Sequence, residues 1–472
     1  MAFKTPQFKT EINLGGLLEH QLEATAELIR LNARHHVTLD ASDMGVGKTY
    51  MGAALARQFD EPTLVVCPLS VIPSWERAGA ALGVEFDILN YEKLRTGNTP
   101  YLTRKPVSFR CPSTGKVKTY NRFEWAPEVQ LVLFDEVHRC AGMTSDQSKM
   151  LIRAKAQSKR VHMMSGTPAE SPLKMKALGY ALDLFDSPGG WMNWARRHGV
   201  KKAHFGGFEF VRSGHTPQTL AERGRIMSKI NAAVFPARGI RLRVDELPNF
   251  PEVSRSVELI GLPLKDAAKI EALYREMQAE LEAIDAKGLG ENEAIRLMRQ
   301  LQTVEIMKVP GLVEMTEDAI ESGKSVALFV NYRDTVKALA ARLQTDCIIW
   351  GDQHPAERER NRKRFQDNDS RVIVCVSAAG GTGLDLHDIR GEYPVLSLIC
   401  PGWSGTLLKQ TLFRNHRTGA KSKAYQKILF ADKTPEVRLY NALRGKVNSI
   451  DALCDGFASA IMDLTTGKPV VV

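Results

Sequence analysis

With 472 residues, 43% of them hydrophobic and 25% charged, the chain has the composition of folded globular protein and the length of two or three domains, which excludes disordered and collagen-like classes. No run approaches the ~18 uninterrupted apolar residues of a bilayer span. The N-terminus, with Lys4, Lys9 and Glu11, lacks an apolar signal region, so no membrane partner is expected. The chain is expected to stay inside the cell. The seven cysteines form no CxxC pair and read as reduced thiols, without zinc or a disulfide framework, and the formal charge of +10 points to a polyanionic partner.

In chain order, the first chemical signal is Gly45-Val-Gly-Lys48-Thr49 following Asp43-Met44. In such a loop the backbone N–H groups of Met44, Gly45, Val46 and Gly47 surround phosphates, Lys48 reaches the β and γ oxygens, and Thr49 ligates Mg²⁺. Ala41 stands where the general pattern has its first glycine, so the loop is a variant. Residues 62–68, 129–134 and 160–164 are short apolar runs that predict buried strands of a parallel sheet. Between the first two lies a basic, acid-free stretch with Arg104, Lys105, Arg110, Lys116, Lys118 and Arg122, in which Pro112-Ser-Thr-Gly115 predicts a hairpin turn.

Directly after the run ending at Phe134 comes Asp135-Glu136-Val137-His138, two carboxylates at the C-terminal edge of a predicted sheet, where α/β proteins bind ligands. Asp135 suits Mg²⁺ and Glu136 suits the orientation and deprotonation of an attacking water. Residues 188–255 lack a clean period, whereas Lys265 to about Val304 is a charged helical pattern; both are expected as insertions or linker. Trp191, Trp194, Arg196 and Arg197 offer a second basic and aromatic patch, for which core packing of the tryptophans is the stronger reading. Runs at 325–330, 371–376 and 393–400 predict a second sheet, so two α/β lobes follow. Gln410, Arg414 and Arg417 then recur at i, i+4 and i+7, which predicts three polar groups on one helix face.

With the loop at 43–49 and the box at 135–138 in view, the chain resembles superfamily-two helicases, specifically the Swi/Snf family of DNA translocases. His20-Gln21 resembles the glutamine motif that reads adenine, Cys67-Pro68-Leu69-Ser70 the first DNA-contacting motif, and Asn90-Tyr91-Glu92 the Tyr-Glu element. Ser165-Gly166-Thr167-Pro168 resembles the coupling motif, which implies a coupling role for His138, Ser165 and Thr167. Ser377 to Asp385 resembles motif five, with Gly383 and Asp385 at nucleotide-contacting places, and Trp403 through Gln410, Arg414, His416, Arg417 and Gly419 resembles motif six. Ser42, Ser171, Ala420 and Asp385 depart from the common residues. Arg241-Leu-Arg-Val-Asp-Glu-Leu-Pro248 resembles the Arg-rich, Leu-Pro linker near the lobe junction.

The resemblance implies an α/β fold of two RecA-like parallel-sheet lobes with helical insertions and an interlobe cleft. It divides the chain into an N-terminal ATP-binding lobe at 1–187, an insertion and linker at 188–255, and a C-terminal helicase lobe at 256–472 with a helical protrusion at about 262–308. ATP and Mg²⁺ are the implied cofactors. Lys48, Asp135, Glu136, Gln410, Arg414 and Arg417 are the implied catalytic set, with Gln21 beside the base and Arg414 and Arg417 on transition-state charge. DNA, duplex or branched and without base preference, is the implied partner, met by Pro68, Ser70, Tyr91, Ser377 and Trp403; the basic hairpin adds Arg110, Lys116 and Lys118. Protein partners are not indicated. The expected activity is ATP-driven movement on DNA, against a strand-separating DNA or RNA helicase and a nucleotide-dependent annealing switch.

Overall fold

A computed structural model describes residues 12–110, 115, 117–203, 207–211, 217–248, 250–262, 272, 275, 291–380, 384–431, 434, 436–457 and 470–471. The chain forms two compact units. The first comprises residues 1–199, 226–246 and 453–456, and the second residues 200–225, 247–452 and 457–472.

The first unit is built on strands β1 (Val37–Asp40), β2 (Thr63–Cys67), β3 (Asp87–Asn90), β6 (Leu131–Asp135), β7 (Arg160–Met164) and β10 (Gly239–Ile240). They lie in the order β10-β1-β7-β6-β2-β3 and every neighbouring pair is parallel. The apolar runs at β1, β2, β6 and β7 are buried along their whole length, as strands covered on both faces must be. Helices Glu19–His35, Lys48–Phe59 and Ile72–Leu82 pack Leu28, Leu55 and Trp75 into one such core. Because all six strands run the same way, the residues after them, at 41–48, 68–70, 91, 136–138, 165–168 and 241–244, emerge at one edge of the sheet.

Between β3 and β6, strands β4 (Leu102–Arg110) and β5 (Val117–Trp125) form the expected antiparallel hairpin, from Leu102 opposite Trp125 to Arg110 opposite Val117. Its base is rooted: Leu102, Phe123 and Trp125 are buried, and the Trp125 indole donates to the Met150 carbonyl at 3.0 Å. Farther along, Val117 is 63% and Tyr120 48% exposed. Trp191 and Trp194 are buried, the former donating to the Pro172 carbonyl at 3.1 Å, so packing rather than a surface patch is what these tryptophans do.

The second unit holds a short ribbon of β8 (Val200–Lys202) and β9 (Phe208–Phe210) and a seven-stranded sheet. The sheet contains β11 (Val253–Ile260), β12 (Ser325–Val330), β13 (Ile348–Ile349), β14 (Val372–Val376), β15 (Val395–Ile399), β16 (Ala424–Ala431) and β17 (Val470–Val471), in the order β13-β14-β12-β15-β16-β11-β17. All its pairs are parallel except β11 with β17. The period of two sorts its side chains between two cores: Ala327, Phe329, Ile373 and Cys375 on one face, Val326, Leu328, Val372 and Val374 on the other. Two buried ion pairs brace the covering helices, Lys308 with Glu436 at 2.9 Å and Lys409 with Asp451. The six described cysteines are free and buried; Cys111 lies outside the described residues.

Candidate nucleotide and nucleic-acid sites

The loop after β1 turns on two glycines with left-handed backbone, Gly45 at φ +88° and Gly47 at φ +92°. The conformation requires glycine at Gly47, and a Cβ there would stand 2.1 Å from the Gln21 amide nitrogen and displace it. That amide donates to the Val46 carbonyl at 2.8 Å, and His20 Nε2 lies 3.1 Å from the same oxygen. His20 and Gln21 therefore touch the loop itself. Met44 and Val46 are buried, and Lys48 opens the helix Lys48–Phe59 with Thr49 after it. The Lys48 ammonium donates to the carbonyls of Ser42 and Asp43, both at 2.8 Å. Burial lowers its pKa against the opposing pull of the Asp40, Glu136, Asp135 and Asp43 carboxylates.

Asp135 ends β6 with its carboxylate already oriented: the Trp75 indole donates to Oδ2 at 2.9 Å and the Glu136 N–H to Oδ1 at 2.8 Å. Burial, and next the Glu136 charge, raise its pKa above the ordinary carboxylate range. Glu136 itself has φ +52°, a left-handed conformation that is costly for a residue with a Cβ and that concentrates at functional turns. Its Oε2 lies 3.3 Å from His138 Nδ1, which is also 3.1 Å from Ser165 Oγ; that hydroxyl accepts the Thr167 N–H at 3.1 Å. The three expected coupling residues thus form one chain of contacts starting at the carboxylate. Mg²⁺ held against phosphates needs only one or two protein carboxylates and a hydroxyl, so Asp135 and Thr49 suit it in kind.

Two features of this site escaped the sequence reading. Trp75 was not singled out, although a buried indole N–H ordinarily finds a partner and this one finds Asp135. Tyr91, expected on the path of DNA, is fully buried: its hydroxyl donates to the Asp135 carbonyl at 2.8 Å, so it holds the backbone at the end of β6. Asn90 places it by capping the short helix Tyr91–Leu94, its side chain accepting the Lys93 N–H at 2.7 Å.

In the second unit the helix Gly405–Leu412 stops before Arg414, so the expected single helical face carrying Gln410, Arg414 and Arg417 does not form. The buried Asn415 explains the stop, since its amide donates to the Val395 and Tyr425 carbonyls, both at 3.0 Å, and draws the backbone onto the sheet. What gathers the arginines is the segment at 384–386. The Leu384 carbonyl accepts from Arg414 Nη1 at 3.1 Å and Arg417 Nη1 at 3.5 Å, Asp385 pairs with Arg417, and the Leu386 N–H donates to the Arg414 carbonyl at 2.9 Å. Gln410 and Arg414 are both buried, and the Arg414 Nε donates to the Gln410 carbonyl at 2.9 Å. Gly383 lies outside the described residues.

Of the residues expected to meet nucleic acid, Ser70 is exposed while Pro68 is buried beneath it at the end of β2. Arg110 is exposed at the far end of β4; Lys118 lies in β5, its side chain outside the described part, and Lys116 is outside altogether. Ser377 is buried at the end of β14, and Trp403 is 38% exposed with its carbonyl accepting Lys446 Nζ at 2.6 Å. Among the described residues no helix is long and apolar enough to cross a membrane.

Comparison with known proteins bears directly on these motifs. Residues 307–419 match the helicase conserved C-terminal domain. A protein of Acanthamoeba polyphaga mimivirus, whose name is that of an ATP-dependent RNA helicase, is 32% identical over 93% of this chain and 84% of its own. The Caenorhabditis elegans homologue of SWI/SNF-related matrix-associated actin-dependent regulator of chromatin subfamily A-like protein 1 is 24% identical over 86% of the chain. This chain belongs to the Swi/Snf family of superfamily-two helicases. As such a helicase it is an ATP-hydrolysing enzyme. The DNA annealing helicase and endonuclease ZRANB3 of Mus musculus is 22% identical over 93% of the helicase. The helicase spans 58% of the nematode protein and 41% of the mouse one. The Sulfolobus solfataricus SWI2/SNF2 ATPase core, solved in complex with dsDNA, aligns over 97% of the helicase and 96% of its own chain at 16% identity and a TM-score of 0.34.

Proposed function

We propose that this helicase is a motor that couples ATP hydrolysis to movement on duplex or branched DNA without reading its sequence. The observation that carries the proposal is the contact chain from Glu136 through His138 to Ser165 and Thr167, which gives the carboxylate beside the phosphate loop a mechanical outlet. In this reading Lys48 holds the β and γ phosphates, Asp135 and Thr49 hold Mg²⁺, which neutralises phosphate charge, and Glu136 orients and deprotonates the attacking water. Gln21 secures the loop. Hydrolysis draws on both units, with Gln410, Arg414 and Arg417 acting on transition-state charge, Gly383 and Asp385 contributing to nucleotide binding, and Asp385 holding Arg417 ready.

Ser70, Trp403 and the basic hairpin through Arg110, Lys116 and Lys118 meet the phosphate backbone, which carries little base identity. Pro68 and Ser377, both buried, hold the segments that follow β2 and β14, and Tyr91 holds Asp135. The deciding experiment compares ATPase stimulation by single-stranded, duplex and branched DNA and by RNA, together with triplex displacement on intact duplex. Stimulation by duplex or branched DNA with triplex displacement is expected. A second reading, an RNA helicase, is favoured by the name of the mimivirus relative; it is adopted if RNA alone stimulates turnover. Nucleotide-dependent binding without displacement would instead assign an annealing switch.

A further inference from the structure

We infer that Arg241 is a positioning residue for the phosphate loop, and that it acts through Asp455, a residue of the chain's last described helix. The inference rests on the loop at 41–49 being the nucleotide loop, and begins with an unusual run of pairing. The parallel match of β10 to β1 continues past both strands: the Ala41 N–H donates to the Ile240 carbonyl at 3.0 Å and the Asp43 N–H to the Leu242 carbonyl at 2.9 Å. Side chains extend it, as the Leu242 N–H donates to Ser42 Oγ at 2.9 Å and the Val244 N–H to Asp43 Oδ2 at 3.0 Å. The entrance to the phosphate loop is thus laced to the segment at 240–244.

Arg241 closes this lacing. Its Nη1 donates to the Ala41 carbonyl at 2.6 Å, its Nη2 lies 2.7 Å from Asp43 Oδ1, and its Nε donates to Asp455 Oδ1 at 2.6 Å. The side chains of Arg241, Asp43 and Asp455 are only 10%, 9% and 8% exposed. Asp455 is placed in turn, because the Asn231 amide donates to the Leu453 and Cys454 carbonyls at 2.9 and 3.1 Å. The planar guanidinium ties three points at once with donors in a fixed fork, a geometry that an ammonium on a flexible stem does not preset.

Two consequences follow for phosphate binding. Lys48 donates to the carbonyls of Ser42 and Asp43, the same residues that the 241–244 segment grips, so the clamp fixes the place from which the ammonium reaches phosphate. Asp43, Asp455 and the buried Asp40 also set carboxylates close to a loop that must receive an anion. The Arg241 charge offsets them, and in a site of low dielectric that offset is large.

The test uses the full chain and titration with a fluorescent ATP analogue plus Mg²⁺, with thermal unfolding run alongside. Arg241→Gln is expected to weaken binding on the order of tenfold, the scale of typical coupling between sites. Asp455→Asn weakens it less, and the double variant binds more tightly than Arg241→Gln alone, because the repelling carboxylate has gone together with its counter-charge. A merely structural role predicts no such rescue. Arg241→Lys, which keeps charge without the fork, is expected to be intermediate and carries the test should Arg241→Gln fail to fold. Wild-type affinity in Arg241→Lys and Asp455→Asn, or losses that add in the double variant, overturns the inference. Lys48→Ala separates the two layers: undiminished binding by that variant refutes the nucleotide-loop reading itself, whereas its loss beside an unaffected Arg241→Gln refutes only the clamp.

Discussion

Asp135 shows how little of a carboxylate's behaviour resides in the residue. Its carboxylate is held by one indole and one backbone N–H, and its carbonyl by the phenol of Tyr91, which follows β3. Trp75→Phe keeps the packing and removes the N–H, so a fall in ATP turnover of roughly tenfold or more is expected, from the ~1.5–3 kcal/mol of a hydrogen bond to a charged group. Steady-state kinetics at varied Mg²⁺ check it, and unaltered turnover would show that the indole is only filler. Glu136→Gln should bind ATP and hydrolyse it slowly, which separates binding from chemistry in a single-turnover assay. His162 belongs to stability. Buried within β7 with Nδ1 3.0 Å from Thr38 Oγ1, it has its pKa pushed down to about 3 by burial, from 6.5. The unfolded chain therefore takes up a proton that the folded one refuses. Stability present above pH 6.5 is lost as pH falls, at up to ~1.4 kcal/mol per unit from this group. Urea unfolding from pH 7 to 5 should show that slope reduced in His162→Gln.

At the scale of elements, the hairpin and the buried ion pairs make opposite uses of charge. The hairpin is rooted by Leu102, Phe123 and Trp125, whereas Arg110 at the far end of β4 is exposed, so that cation can be removed without disturbing a core. Replacing Arg110, Lys116 and Lys118 with Ala should weaken DNA binding evenly across sequences and reduce its log-log salt slope by about one unit per lost phosphate contact. An unchanged slope would make them a solvated edge that resists aggregation. The Lys308–Glu436 pair is inside the second unit, and Lys308 Nζ reaches both Glu436 oxygens, at 2.9 and 3.0 Å. Lys308→Met leaves a buried carboxylate uncompensated and should cost about 3–5 kcal/mol in that unit's unfolding. Adding Glu436→Leu should restore much of it, as measured by denaturant titration.

For the whole molecule, the prediction is that neither unit suffices. The first carries the proposed phosphate loop with Asp135 and Glu136; the second carries the arginines that Asp385 and Leu384 gather. Arg417→Ala should therefore bind ATP nearly as the unmodified chain does and lose DNA-stimulated hydrolysis by about 10³-fold or more, the range seen for arginines that stabilise transferring phosphate. Full stimulated activity in that variant would confine the chemistry to the first unit. The net charge of +10 adds that stimulation by DNA should fall steeply between low and physiological salt.

The sequence alone determined the two sheets and the order of motifs along them. Continuous apolar runs such as those of β2, β6 and β12 can be satisfied only by burial on both faces, and Gly45 and Gly47 mark the turn after β1 because no other residue enters that conformation freely. Short-range constraints of this kind are written where they act. Tertiary structure alone decided what each polar group meets. Tyr91 reads as a surface aromatic until the chain places it under Asp135, and Arg414 reads as one face of a helix until Asn415 diverts the backbone. Asp455 stands 412 residues after Asp43 in the chain yet shares its guanidinium. A hydrogen bond or ion pair depends on separation in space, and a parallel sheet brings together strand ends that periodicity and composition leave hundreds of residues apart.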